Sequence, residues 1–250
     1  MVKRVEEHFG AIDILVNNAG AIKVGPFFNM DIKDFEQAMN LMFWGPLYTT
    51  LAVLPSMRQR KQGSIVNITS IGGKVSVPHL LPYSCAKFAA VGFSEGLRSE
   101  LAPEGICVTT IAPGLLRTGS HLNARFKGKQ TGEYLAFSAG SATPVVSIAA
   151  ERAARSIVSS TVRGETERVL SVPAAALALV HGIAPGFTTD VLSLVNRLLP
   201  SEKNGGTSSR TGQQIEDQMN SRIWRFFTSS GYEAAESLNE LSANQQLANS

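Results

Sequence analysis

Gly63-Ser64-Ile65-Val66-Asn67-Ile68-Thr69-Ser70 and, one loop later, Tyr83-Ser84-Cys85-Ala86-Lys87 are the stretches that decide how this chain folds. The first is a short β-branched run, opened by a glycine and closed by polar residues, as a buried strand would be. The second begins behind Pro82, which a first helical turn tolerates, and continues as a helix from Tyr83 to Leu101. The alternation extends outward both ways. Upstream, Val2, Val5 and Phe9 fall at helical spacing and stop at Gly10. Ile12 to Val16 then forms a strand, and Asp31 is placed to cap a helical stretch through about Arg60. Downstream, Ile106 to Ile111 is a third strand closed by Pro113-Gly114. Ser147 is expected to cap a helix through about Val162, Val169 to Val172 to form a fourth strand, and Ala174 to Leu199 to be helical with a break at Pro185. Short apolar strands alternating with helices describe an α/β fold, a parallel sheet covered on both faces.

The 250 residues are 44% hydrophobic and 17% charged, with 23 Lys and Arg against 20 Asp and Glu. A formal charge of +3 is too small to grip a phosphate backbone, so no nucleic-acid partner is expected. Cys85 and Cys107 form no CxxC pair, and His8, His79, His121 and His181 are scattered, which excludes a disulfide framework and a zinc site. MVKRVEEHFG lacks the apolar core of a signal peptide. Val172 to Phe187 is interrupted by prolines and falls short of the roughly 20 residues a bilayer span needs. A cytoplasmic protein is therefore expected, with membrane contact as the minor alternative. Residues 1 to 200 are expected to form the domain, and 201 to 250 a polar tail that opens with the flexible linker SEKNGGTSSRTG. In that tail Ile215, Met219, Ile223 and Phe226 or Phe227 recur at helical spacing, with Trp224 between Arg222 and Arg225, an amphipathic helix expected to dock on its own domain.

Tyr83 and Lys87 stand one helical turn apart, on one face of their helix. A nearby ammonium favours phenolate over phenol, so Lys87 is expected to lower the tyrosine pKa toward working pH. That is what a tyrosine needs to exchange a proton with a substrate hydroxyl or carbonyl. Ser70 ends the preceding strand, where the carboxyl ends of parallel strands line a ligand crevice. Cys85 faces another side of the helix and is read as a packing residue, and His79 and His121 as loop residues near the mouth of a pocket. Arg125, Lys127 and Lys129 are read as a solvated basic loop.

NNAG at Asn17 to Gly20, the run ending at Ser70, the YSCAK segment and Pro113-Gly114-Leu115-Leu116-Arg117-Thr118 occur in the order found in the short-chain dehydrogenase/reductase family, which the chain resembles from about Val2 to Leu199. The resemblance implies a doubly wound, Rossmann-like fold and a nicotinamide cofactor, NAD or NADP. It implies Tyr83 as general acid/base, Lys87 as the group that tunes it and holds the nicotinamide ribose, and Ser70 as the residue orienting the reacting oxygen. Pro113, Gly114 and Thr118 would lie near the nicotinamide, and Asn17, Ala19 and Gly20 near the adenosine side. A homo-oligomer through the helices at 31 to 60 and 83 to 101 is implied as well.

Two features depart from the family pattern. No glycine-rich GxGxxG turn precedes NNAG, so the chain is expected to lack the first βα units of the fold, an N-terminal truncation that leaves the Ile12 to Val16 edge prone to association. On the long helix, where the family carries an asparagine three residues before Gly45, this chain has Met42, and a thioether cannot replace an amide in a proton relay. Asn40 lies on a different face unless the helix bulges. The expectation is an oxidoreductase that interconverts a small-molecule alcohol and a carbonyl. The alternative is a catalytically silent fragment or binding protein that keeps the tyrosine site without a working nucleotide half.

Overall fold

Helix α1 (Val2–Phe9) ends as predicted at Gly10, whose φ of 82° suits glycine. The computed structural model describes residues 1–142, 147–200, 206–219 and 238. Strands β1 (Ile14–Asn17) and β2 (Lys23–Val24) follow, then α2 (Ile32–Met39). Asp31 caps α2 through a reciprocal box. Its carboxylate accepts from Asp34 N at 3.2 Å, and Asp34 Oδ2 accepts from Asp31 N at 2.9 Å. The predicted long helix is interrupted by a π-helical turn, Asn40–Trp44, before α3 (Gly45–Arg60). Strand β3 (Gly63–Ile68), α4 (Leu81–Leu101), β4 (Ile106–Ala112) and β5 (Leu115–Arg117) come next. They are followed by α5 (Ser120–Asn123), β6 (Arg125–Phe126), α6 (Gln130–Ala142) and β7 (Ser147–Ala149). The described chain continues with α7 (Ala150–Val162), β8 (Glu167–Val169), α8 (Val172–Ile183), α9 (Pro185–Asn196), β9 (Arg210–Thr211) and α10 (Gly212–Met219).

The main sheet runs β1-β3-β4-β8, every pair parallel. Its register places Leu15 beside Ile65 and Ile65 beside Val108, and two residues on Asn17 beside Asn67 and Asn67 beside Thr110. With a side-chain period of two, these rows share one face. Val53 and Met57 of α3 and Leu97 and Leu101 of α4 close over the apolar row, with Val2 of α1. Helix α7 meets β4 from the side of Cys107. This is the doubly wound α/β arrangement expected.

Three boundaries differ from expectation. Ser147 does not cap a helix. It lies in β7, parallel to β5, and its carbonyl accepts from Arg117 at 2.9 Å. The fourth strand ends at Val169 because Ser171-Val172-Pro173 forms a helix start, Ser171 Oγ accepting from Ala174 N at 3.3 Å. The end of the predicted linker is ordered by pairing: β9 lies antiparallel to β6, and β6 parallel to β2. This small sheet, α6 and α10 enclose a second core of Val24, Ala124, Phe126, Tyr134 and Ile215. Ile215 and Met219 thus pack on the chain's own domain, while Trp224, Ile223, Phe226 and Phe227 lie outside the described residues.

Lys127 is not part of a solvated loop. It is buried, with Nζ 2.6 Å from Asp34 and 3.1 Å from Asp31, and Lys23 also bonds Asp34. These pairs tie the start of α2 to the small sheet and hold both carboxyls below their usual range. A buried Lys is tolerated only because it is paired.

Candidate active site

The site forms where β1, β3 and β4 end at their carboxyl side. Thr69 N donates to Ile111 O at 2.7 Å and Ile71 N to Pro113 O at 2.8 Å, so the turn after β3 abuts the Pro113-Gly114 turn after β4. Ser70 is buried and caps a short turn, its Oγ accepting from Gly72 N at 3.0 Å. Gly72 and Gly73 seat this turn on α4. A Cβ on Gly72 would lie 3.1 Å from Tyr83 Cε1 and 3.5 Å from Ser70 Oγ, and one on Gly73 only 2.5 Å from Lys87 O. Tyr83 stands in the first turns of α4 with Ser70 beside it.

Lys87 is 5% exposed, donates from Nζ to Ile68 O at 2.9 Å, and has that nitrogen 5.7 Å from the Tyr83 ring centroid. With a carbonyl as its hydrogen-bond acceptor and no paired carboxylate, desolvation depresses its pKa to about 8. Burial pushes the Tyr83 phenol up, and the Ser70 hydroxyl pulls it down. The hydroxyl of Ser70 is thus the neighbour that draws the phenol down, while the Lys87 ammonium is directed at a backbone carbonyl.

A cleft beside Lys87 is lined by Ala19, Met42, Pro46, Thr69, Ala90 and Phe93, among others. Gly20 faces it: a Cβ there would stand 3.8 Å from Met42 Sδ and 4.0 Å from Lys87 Nζ. The helix does bulge next to Met42, yet Asn40 stays exposed and Met42 is 2% exposed in the wall. The bulge does not bring an amide into the cleft.

Asn17 is engaged differently from the expectation of an adenosine contact. Its Nδ2 donates to Asn67 Oδ1 at 2.9 Å and Thr50 Oγ1 at 3.4 Å, and its Oδ1 accepts from Thr49 Oγ1 at 2.7 Å. Asn67 Nδ2 donates on to Ser94 Oγ at 3.0 Å, which meets Thr110 Oγ1 at 2.7 Å. Asn67, Ser94 and Thr110 were not singled out from the sequence. An inward asparagine in an otherwise apolar strand was the signal available.

Gly114 packs against the start of α8, where a Cβ would be 2.7 Å from Ser171 Oγ. Thr118 is engaged in its own turn, Oγ1 accepting from Ser120 N at 3.2 Å. His121 is not at a pocket mouth: it is buried, stacks on Tyr134, and burial lowers its pKa. His79 is tied through Nδ1 to Glu133 at 2.8 Å. Cys85 is exposed rather than packed. Among the described residues no group of His, Cys, Asp and Glu could hold a metal ion, and no helix is long and apolar enough to cross a membrane.

Residues 1–127 match the family model of the short chain dehydrogenases. The chain belongs to this family of oxidoreductases. Its similarity to a dehydrogenase/reductase SDR family protein 7-like from Anopheles gambiae is 39% identity over 187 residues, covering 74% of this chain and 57% of that protein. To the mouse dehydrogenase/reductase SDR family member 7B it is 41% identical over 116 residues, 46% of this chain and 36% of the relative. The chain thus spans about half the length of the curated relatives it matches, or less. The solved short-chain dehydrogenase from Streptomyces avermitilis superposes with a TM-score of 0.64 at 29% identity, covering 78% of this chain and 74% of that structure.

Proposed function

We propose that this short-chain dehydrogenase family member interconverts an alcohol and a carbonyl of a small molecule, with Tyr83 as general acid/base. The observation that carries the reading is the grouping of Ser70, Tyr83 and a desolvated Lys87 at the carboxyl ends of β3 and β4, with Lys87 also lining a small cleft. Tyr83 Oη would give its proton to a carbonyl oxygen or take one from an alcohol, and Ser70 Oγ would hold that oxygen in place. Lys87 has two ammonium donors left after its bond to Ile68 O, enough to hold ribose hydroxyls. The positive ring of an oxidised nicotinamide would favour the phenolate, and hydrogen bonds from Lys87 to the ribose hydroxyls would help to keep its ammonium charged.

NAD or NADP, when bound, supplies or takes the hydride. Lys87 fits the nicotinamide ribose; Gly20, implied by the resemblance to lie on the adenosine side with Ala19, stands beside the Lys87 ammonium, which supports placing this turn next to the same ribose. Pro113, Gly114 and Thr118 are assigned to that end by family resemblance alone. Asn17, by contrast, spends its amide inside the protein and would act by holding the turn before Ala19 in shape. The glycine-rich turn that cradles a pyrophosphate is not in these 250 residues. Two unpaired cysteines suit a cytoplasmic setting. Leu41, Trp44, Tyr48, Leu51 and Phe88 expose apolar surface on the helical segments at 31 to 60 and 83 to 101, which supports contact between copies there.

A second reading, a relative that binds without turning over, is favoured by Met42, whose thioether occupies the wall where an amide would relay protons. Thermal-shift titration with NAD, NADH, NADP and NADPH tests cofactor binding, because a ligand of the folded state raises its apparent stability. Stabilisation by a cofactor, with turnover cut by about 10²- to 10⁴-fold in Tyr83→Phe, supports the enzyme. Stabilisation without turnover supports the silent binder. No shift with any of the four, in a folded sample, overturns the enzyme reading and favours a silent relative without a working nucleotide half.

A further inference from the structure

His79 leads into the helix of Tyr83 with a φ of 63°, in the left-handed region. Lys61, the other such non-glycine residue described, ends α3, where left-handed caps are common. His79 instead precedes a helix. A residue with a Cβ is disfavoured in this conformation and persists there only where its surroundings hold it. Two tethers do so. The His79 carbonyl accepts from Gly25 N at 2.8 Å, just past β2, and the ring Nδ1 lies 2.8 Å from Glu133 Oε2 on α6. A carboxylate only accepts, so Nδ1 carries the proton of that bond.

Glu133 is 1% exposed, and among the described residues His79 is the hydrogen-bond partner of its carboxylate, whose Oε1 is buried without one. A carboxylate so placed cannot turn to water, which binds it to the imidazole. Helix α6 is itself fixed. Tyr134, the next residue, is buried in the second core and donates from Oη to Glu216 of α10 at 2.9 Å, and Gln130 Nε2 donates to Ser208 O at 2.9 Å. Helix α4, by contrast, has no side-chain cap: its N-cap is Leu80, which packs on that second core. The placing of its first turn, with Tyr83 four residues after His79, therefore falls to what holds Leu80 and His79.

We propose that His79 and Glu133 form a buried clamp that fixes the first turn of α4, which makes His79 a positioning residue for Tyr83. The catalytic part of this inference rests on the reading of Tyr83 as the proton-exchanging group.

Amide hydrogen exchange of the full chain, followed by NMR, tests the clamp independently of turnover. His79→Asn keeps a residue that tolerates the left-handed backbone and removes the ring. Exchange at Ser84, whose N donates to Leu80 O at 2.8 Å, and at Cys85 is expected to quicken at least about tenfold, with the amides from Phe93 to Leu97 unchanged. Should that variant not fold, Glu133→Met removes the buried carboxylate and fills its place. It is expected to hold or raise the melting temperature while quickening the same amides. Both variants are expected to lower kcat by about 10- to 100-fold with cofactor affinity unchanged, because small misplacements of a proton-exchanging group slow the chemistry. Unchanged exchange at Ser84 and Cys85 in a folded variant overturns the clamp, as does quickening spread evenly along α4. Quickened exchange with kcat unchanged overturns the positioning role. Failure of the Tyr83 reading shows separately, as a cofactor-loaded parent whose turnover survives Tyr83→Phe.

Discussion

Lys87 is held where an ammonium is costly: 5% exposed, with a backbone carbonyl as its hydrogen-bond partner. Its folded-state pKa of about 8 lies below the ordinary 10.5, so between those values the native state binds fewer protons than the unfolded chain. Stability therefore rises with pH across that window, and the full penalty is present below it. Lys87→Met is expected to raise stability by roughly 1–3 kcal/mol at about pH 7 and to lose that advantage by about pH 10, while abolishing turnover. Urea denaturation at the two pH values checks the first part, and an advantage independent of pH would refute it. Met42 bounds the same cleft. Met42→Asn is expected to raise turnover of cofactor-loaded protein by supplying an amide near Lys87, measured as kcat at saturating substrate; an unchanged kcat would sink the relay argument.

At the scale of elements, the site depends on how closely the Ser70 turn lies on α4. Gly73 has backbone 2.5 Å from where a Cβ would be, and the obstacle is Lys87 O, which cannot swing aside. Gly73→Ala is expected to cost roughly 1–3 kcal/mol and to lower activity along with stability, because the turn carrying Ser70 must lift from the helix carrying Tyr83. Denaturant melts read the first and turnover at a permissive temperature the second. The row Asn17, Asn67 and Thr110 joins β1, β3 and β4 to α3 and α4 through side-chain amides and hydroxyls. Asn67→Leu takes one partner each from the Asn17 amide, which keeps Thr49 and Thr50, and from the Ser94 hydroxyl, which keeps Thr110, with an expected loss of roughly 1–3 kcal/mol. A loss below about 0.5 kcal/mol would show that these groups find other partners.

For the whole molecule, the uncovered surface matters as much as the core. Strand β1 has β3 as its described neighbour, and Ile14 and Val16 are 53% and 51% exposed on the face away from α3. An open parallel edge with apolar neighbours invites pairing. Val16→Lys is expected to reduce concentration-dependent association in sedimentation velocity without changing the melt, and undiminished association would place the contact elsewhere. The small sheet is a second tier of organisation: α10 returns to it from beyond residue 205, and Gly212 lies so close to His121 O that any side chain would displace it.

Period and punctuation carried the local structure. The β-branched runs at Ile65 and Val108, the stop at Gly10, the cap at Asp31 and the Tyr83 to Lys87 spacing are dictated by forces within a few residues, so the parallel α/β layout and the placing of Tyr83 and Lys87 one turn apart on α4 were legible from them. Other features were decided only in three dimensions. Ser147 became a strand because β5 offered it a ladder, and Arg210–Thr211 because β6 did. Lys127 is buried because Asp34 is across from it, Asn17 turns inward because Asn67 lies in register, and the Lys87 ammonium donates a hydrogen bond to Ile68 O. In each case a group was assigned by its own chemistry, and its partner came from a distant part of the chain. Desolvation and hydrogen bonding act between neighbours in space, which a one-dimensional pattern does not contain.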